Sequence, residues 1–139
     1  MTLIKRILIV TILAISTISC LPEDDQTRYR LELLKVESVN LPDTLVLGET
    51  HQIEVSYFRP TNCHQFNGFY YDKNLNVRTI AIQSLVAELP NCTPLQPVLE
   101  EATLNFYVTN NGSYIFKFWK GKNDLGEDTF MEIEVPVKD

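Results

Sequence analysis

Residues Thr103–Val137 read TLNFYVTNNGSYIFKFWKGKNDLGEDTFMEIEVPV. Three runs of alternating apolar and polar residues are divided by two glycine-bearing turns, Asn110-Asn111-Gly112 and Lys122-Asn123-Asp124-Leu125-Gly126. Side chains of a strand alternate with period two. Leu104, Phe106 and Val108 therefore form one set, Tyr114, Phe116 and Phe118 a second, and Met131, Ile133, Val135 and Val137 a third. Each set needs an apolar partner face, so the stretch predicts the C-terminal strands of an antiparallel, layered sheet structure.

Upstream, the same signals continue. Tyr29 to Leu33 alternates, Leu33-Leu34 breaks the phase, and Val36, Val39 and Leu41 resume on the other register; a bulge or a strand passing from one sheet to another produces such a slip. His51 to Phe58 places Ile53, Val55 and Tyr57 on one face, and Arg59-Pro60 ends it. Phe66 to Tyr71 is an aromatic run with a turn expected at Asp72-Lys73-Asn74. Val77 to Leu89 is β-branched and stops at Pro90, which favours a strand over a helix. Pro90 to Pro97 holds three prolines and Cys92 and reads as a crossing loop. The count is about seven strands with no segment of helical period, an all-β antiparallel sandwich over residues 28–139.

The N-terminus reads differently. Lys5 and Arg6 precede an apolar run, Ile7 to Ile15, and a small-residue exit Ser16-Thr17-Ile18-Ser19 leads to Cys20. This is the pattern of a secretory signal peptide over residues 1–19, too short in its apolar core for the roughly 20 residues of a permanent membrane span. Thr17-Ile18-Ser19-Cys20 resembles the lipobox of bacterial lipoproteins, with Thr17 where leucine is usual, and Leu21-Pro22-Glu23-Asp24-Asp25 resembles the acidic export signal of Bacteroidetes lipoproteins. The resemblance covers about the first 25 residues. It implies diacylation of Cys20, a tether over residues 20–27, and an address at the outer membrane, with the membrane itself as one partner. Each buried methylene contributes about 0.8 kcal/mol, so two or three chains anchor stably where one does not.

With Cys20 lipidated, Cys63 and Cys92 remain, and an even pair in an oxidising compartment reads as a disulfide. Loss of Lys5 and Arg6 with the leader takes basic residues from 12 to 10 against 18 acidic, and the formal net charge from −6 to −8. Such a surface repels phosphate backbones, which argues against a nucleic-acid partner. Asn110-Asn111-Gly112-Ser113-Tyr114 resembles the tyrosine corner of immunoglobulin-like domains, with Asn110, Gly112 and Tyr114 forming the corner and Phe116 standing where antibody domains carry their second cysteine. An ordinary Asn-Gly hairpin fits the same residues.

No catalytic set assembles from the sequence. Cys63-His64 lacks the paired spacings of a zinc site, Glu132 and Glu134 belong to the outer face of the last strand, and Asn123, Asp124 and Asp128 lack the pattern of a calcium loop. No catalytic residue, metal or cofactor is expected. Tyr107 and Trp119 oppose the core phase of their runs and are read as a shared outward aromatic face, suited to a protein or glycan ligand. The function expected is a small non-catalytic binding or adaptor module; the alternatives are a structural or adhesion subunit of a surface assembly and, ranked last, a small hydrolase.

Overall fold

The alternating runs become nine strands in the computed structural model, which describes residues 26–139. The expected leader, the lipidation site Cys20 and most of the tether lie outside the described residues. The strands are β1 (Tyr29–Leu34), β2 (Val36–Asn40), β3 (Leu45–Val46), β4 (Thr50–Phe58), β5 (His64–Asn74), β6 (Val77–Ala87), β7 (Leu99–Tyr107), β8 (Ser113–Lys122) and β9 (Asp128–Lys138). They form two sheets in a sandwich-like arrangement. The large sheet has six strands and contains the path β1-β6-β8-β9-β3 with β5 on the other side of β6, and the small sheet has the order β2-β4-β7.

The slip at Leu33-Leu34 is the passage between sheets: β1 pairs β6 and β2 pairs β4, with only Lys35 between them. Lys120 holds the crossing from the β8 side, its Nζ donating to the carbonyls of Val36 at 2.6 Å and Glu37 at 3.0 Å. All three C-terminal sets face inward as their phases require. Phe106, Val108, Tyr114, Phe116, Phe118 and Val135 are buried with Ile53 and Val55 of β4 and Ile80 and Ile82 of β6. Phe106 meets Tyr114 and Phe116 edge-on at 4.9 and 5.1 Å, the arrangement aromatic rings prefer.

The expectation of a purely antiparallel, immunoglobulin-like sandwich is corrected by two parallel pairs. β6 runs parallel to β8, Val77 opposite Ile115 and Ile80 opposite Phe118, and β3 runs parallel to β9. The first follows from the β5–β6 hairpin, whose second strand lies against β8; with β5 in that place the pair would be antiparallel. β6 also divides one edge between two neighbours, β8 beside Val77–Ile80 and β1 beside Ile82–Ala87. The hairpin turn expected at Asp72-Lys73-Asn74 falls later, because β5 continues through Asn74 and Leu75 adopts the left-handed conformation at φ 53°.

Six strands are not covered by three. Phe66, Phe69 and Tyr71 of β5 stand opposite Ser84, Ile82 and Ile80 and share their core-facing side, yet Phe66 and Tyr71 remain exposed. Among the described residues no strand of the small sheet lies beyond β7, so the inner face of β5 overhangs as a shelf.

Candidate functional site

Tyr107 and Trp119 do not share a face. Each points outward from its own strand as expected, but β7 belongs to the small sheet and β8 to the large one, so the two aromatics serve separate surfaces.

Trp119 belongs to the outer face of the large sheet. It stands opposite Phe130 of β9, while Tyr70 of β5 stands opposite Ala81 of β6. Ala81 is small and buried, and the larger side chains of Leu33, Tyr70, Trp119 and Phe130 rise around it to form a cleft of about 240 Å³. Asp128 closes one end. Its Oδ1 accepts from the Trp119 indole Nε1–H at 2.9 Å and from Lys122 Nζ at 2.8 Å. The Lys122 hydrogen bond, with that of Trp119 added, holds the Asp128 carboxyl below the usual carboxylate range. The indole is thereby fixed in rotation with its ring lining the cleft, a rigid apolar wall beside a charged acceptor. Lys117 lies over the Phe130 ring at 4.8 Å and pairs with Glu132 at 2.9 Å.

Tyr107 lines a different hollow, an open groove of about 400 Å³ between the edge of β7 and the β5 shelf. Tyr71, Lys73 and Arg78 form its opposite wall. Burial pushes the Tyr71 phenol above its ordinary value, and the Arg78 guanidinium beside it opposes that rise.

The cysteine pair is joined. Cys63 and Cys92 form a disulfide with Cα atoms 5.5 Å apart, which removes Cys63 as a thiolate nucleophile. His64 opens β5 and is buried; its Nδ1 lies 2.7 Å from Thr61 Oγ1 and its Nε2 is 3.6 Å from Glu32 Oε1 of β1. The Thr61 contact braces the β4–β5 turn, while the Nε2 atom has no hydrogen-bond partner among the described residues. Among the described residues, no group of three or more His, Cys, Asp or Glu side chains is placed to hold a metal ion.

Asn110-Asn111-Gly112 carries the chain from β7 in the small sheet to β8 in the large one, so it is not the turn of a hairpin. Gly112 takes φ 94°, a conformation that side chains disfavour. The buried Tyr114 hydroxyl returns to this turn and accepts from the backbone N–H of Asn110 at 2.9 Å and of Thr109 at 3.2 Å. Burial alone would push the phenol up, but the Thr109 hydroxyl at 3.4 Å, these backbone hydrogen bonds and the nearby Arg78 bring it below its ordinary value.

Arg78, Tyr70 and Phe130 had no place among the expected site residues. Arg78 lies in the phase of Ile80 and Ile82, a charge in the inward register of a β-branched run, and that register is its signal in the sequence. Tyr70 and Phe130 carry no comparable mark, because their meeting with Trp119 depends on which strands adjoin. No protein-family model, curated protein or solved structure matches the chain.

Proposed function

We propose that this protein is a small non-catalytic binding or adaptor module of the bacterial cell envelope, held at the outer membrane through a lipidated Cys20 and taking a protein or glycan ligand on the outer face of its large sheet. The observation that carries the reading is the cleft of Leu33, Tyr70, Trp119 and Phe130 around Ala81, with Asp128 at its end. Large aromatic side chains lose little conformational freedom when they bind, and a few of them in a concave apolar site dominate affinity. A pyranose ring or an aromatic side chain fits between such walls, and the Asp128 carboxylate offers an acceptor for a hydroxyl or amide N–H.

The membrane address rests on the sequence of residues 1–25. Mass spectrometry of the N-terminal peptide from native membranes is expected to show an acylated Cys20, and an unmodified Met1 in the mature protein would overturn the anchor. All nine strands of the described residues lie between Tyr29 and Lys138, so the chain from Leu21 onward includes each of them for binding work. On a glycan array and against purified envelope proteins, Tyr70→Ala/Trp119→Ala is expected to weaken binding about tenfold or more, the effect of losing central aromatic contacts. Tyr107→Ala, on the other sheet, is expected to leave that binding intact. Binding indifferent to the Tyr70/Trp119 pair removes this face, and turnover of any glycan or peptide on the array places the protein among the hydrolases.

A further inference from the structure

The groove on the opposite side of the molecule rests on separate observations. Arg78 is only 5% exposed, and its guanidinium is a hydrogen-bond donor with no acceptor of its own. Its Nη1 donates to the carbonyls of Leu75 and Val77, both at 2.8 Å, and the guanidinium lies over the Tyr114 ring at 4.8 Å and the Phe106 ring at 5.9 Å. Its buried Nε has no hydrogen-bond partner. Among the described residues no carboxylate lies within ion-pair distance. A buried cation without a counterion is costly, and ring faces offset only part of that cost. Arg78 also lines the open groove, where Lys73 adds a second positive charge and no acidic residue contributes. In an acidic chain this is a locally positive hollow.

The walls of the groove point to the form of a matching anion. On one side runs β7, which among the described residues pairs only with β4 and leaves its other edge unpaired. On the other is the β5 shelf, where Tyr71 shows core-facing aromatic surface to the groove, while Phe66, farther along, meets Tyr57 of β4 at 6.1 Å. We infer that the groove between β7 and β5 takes an extended peptide segment that adds to the small sheet as a fourth strand, covers the shelf with alternate apolar side chains, and places a carboxylate against Arg78 and Lys73. An unpaired edge supplies backbone hydrogen bonds to any extended chain, and side-chain pockets set which chain fits. A carboxylate on arginine forms a charge-assisted pair, stronger than a neutral hydrogen bond.

The test uses the full chain and an array of short acetylated peptides that alternate valine, isoleucine or phenylalanine with threonine, each made with one glutamate and again with glutamine in its place. The expected result is saturable movement of the Arg78 Nε–H resonance together with new hydrogen-exchange protection of β7 amides. Glutamine versions are expected to bind about tenfold more weakly. Lys73→Glu, at an exposed position that leaves the core untouched, is expected to weaken binding by a similar factor, and Trp119→Ala to leave it unchanged. Equal binding of glutamate and glutamine peptides overturns the charge assignment, and absence of any β7 protection across the array overturns the strand. Glucuronate moving Arg78 as strongly as the best peptide identifies a small-anion site instead. The same protection appearing on concentrating the protein alone assigns the edge to a second copy.

Discussion

Cys63→Ser/Cys92→Ser lowers the free energy of unfolding by about 3 to 4 kcal/mol, the chain-entropy value for a loop closed between residues 29 apart. The bridge joins the β4–β5 turn to the proline-rich crossing between β6 and β7. Around it the two segments form a small ladder of their own: Asn62 N–H donates to the Thr93 carbonyl at 3.1 Å, Thr93 N–H to Asn62 Oδ1 at 2.8 Å, and Leu95 N–H to the Pro60 carbonyl at 3.0 Å. These bonds lie at an exposed surface and bury little apolar area, so they depend on the covalent link for their alignment. Denaturant unfolding of the oxidised protein and the serine variant measures the difference, and coincident midpoints would falsify it. Limited proteolysis gives a second reading, since the variant is expected to be cleaved first between residues 88 and 98.

Tyr114→Phe is expected to cost about 1 to 3 kcal/mol. The substitution keeps the ring against Phe106 and Phe116 and removes only the hydroxyl, which accepts from Thr109 and Asn110. The cost thus arises from two backbone N–H groups left without their acceptor. It falls where the chain passes from one sheet to the other, at a turn whose Gly112 carbonyl accepts from Val137 N–H at 2.7 Å but whose Thr109 and Asn110 N–H groups rest on the hydroxyl. Equilibrium unfolding in urea reads the change directly, and an unaltered midpoint would mean that water replaces the hydroxyl at the turn.

What the sequence made legible is what depends on neighbours along the chain. The phases of Phe106, Tyr114, Phe116, Phe118 and Val135 follow from period-two alternation, the passage between sheets from the slip after Leu33, and the cysteine pair from its count once Cys20 is set aside. Pairing between distant strands is a different matter. The β5–β6 hairpin has the same local pattern whether β5 or β6 lies against β8, so nothing within it distinguishes a parallel from an antiparallel neighbour. Alternation likewise tells whether Tyr107 and Trp119 point out of their own strands but not which sheet each strand joins, and that is why a face expected to hold both divides into two. The cleft around Ala81 takes residues from β1, β5, β6, β8 and β9, a convergence set only by strand order.

The parallel pairing of β3 with β9 sets Leu45 opposite Val137 and Val46 opposite Lys138. Leu45 is fully buried, so a residue from the first third of the chain stays uncovered until the last strand arrives. β9 must also complete β8, whose other edge is taken by the earlier strand β6. Sequence-distant contacts of this kind slow folding, because loop-closure entropy is lost before the contacts offset it. On a ribosome the consequence is a matter of timing: until β9 has emerged, β8 keeps one open edge and Leu45 lacks its neighbour in the sheet.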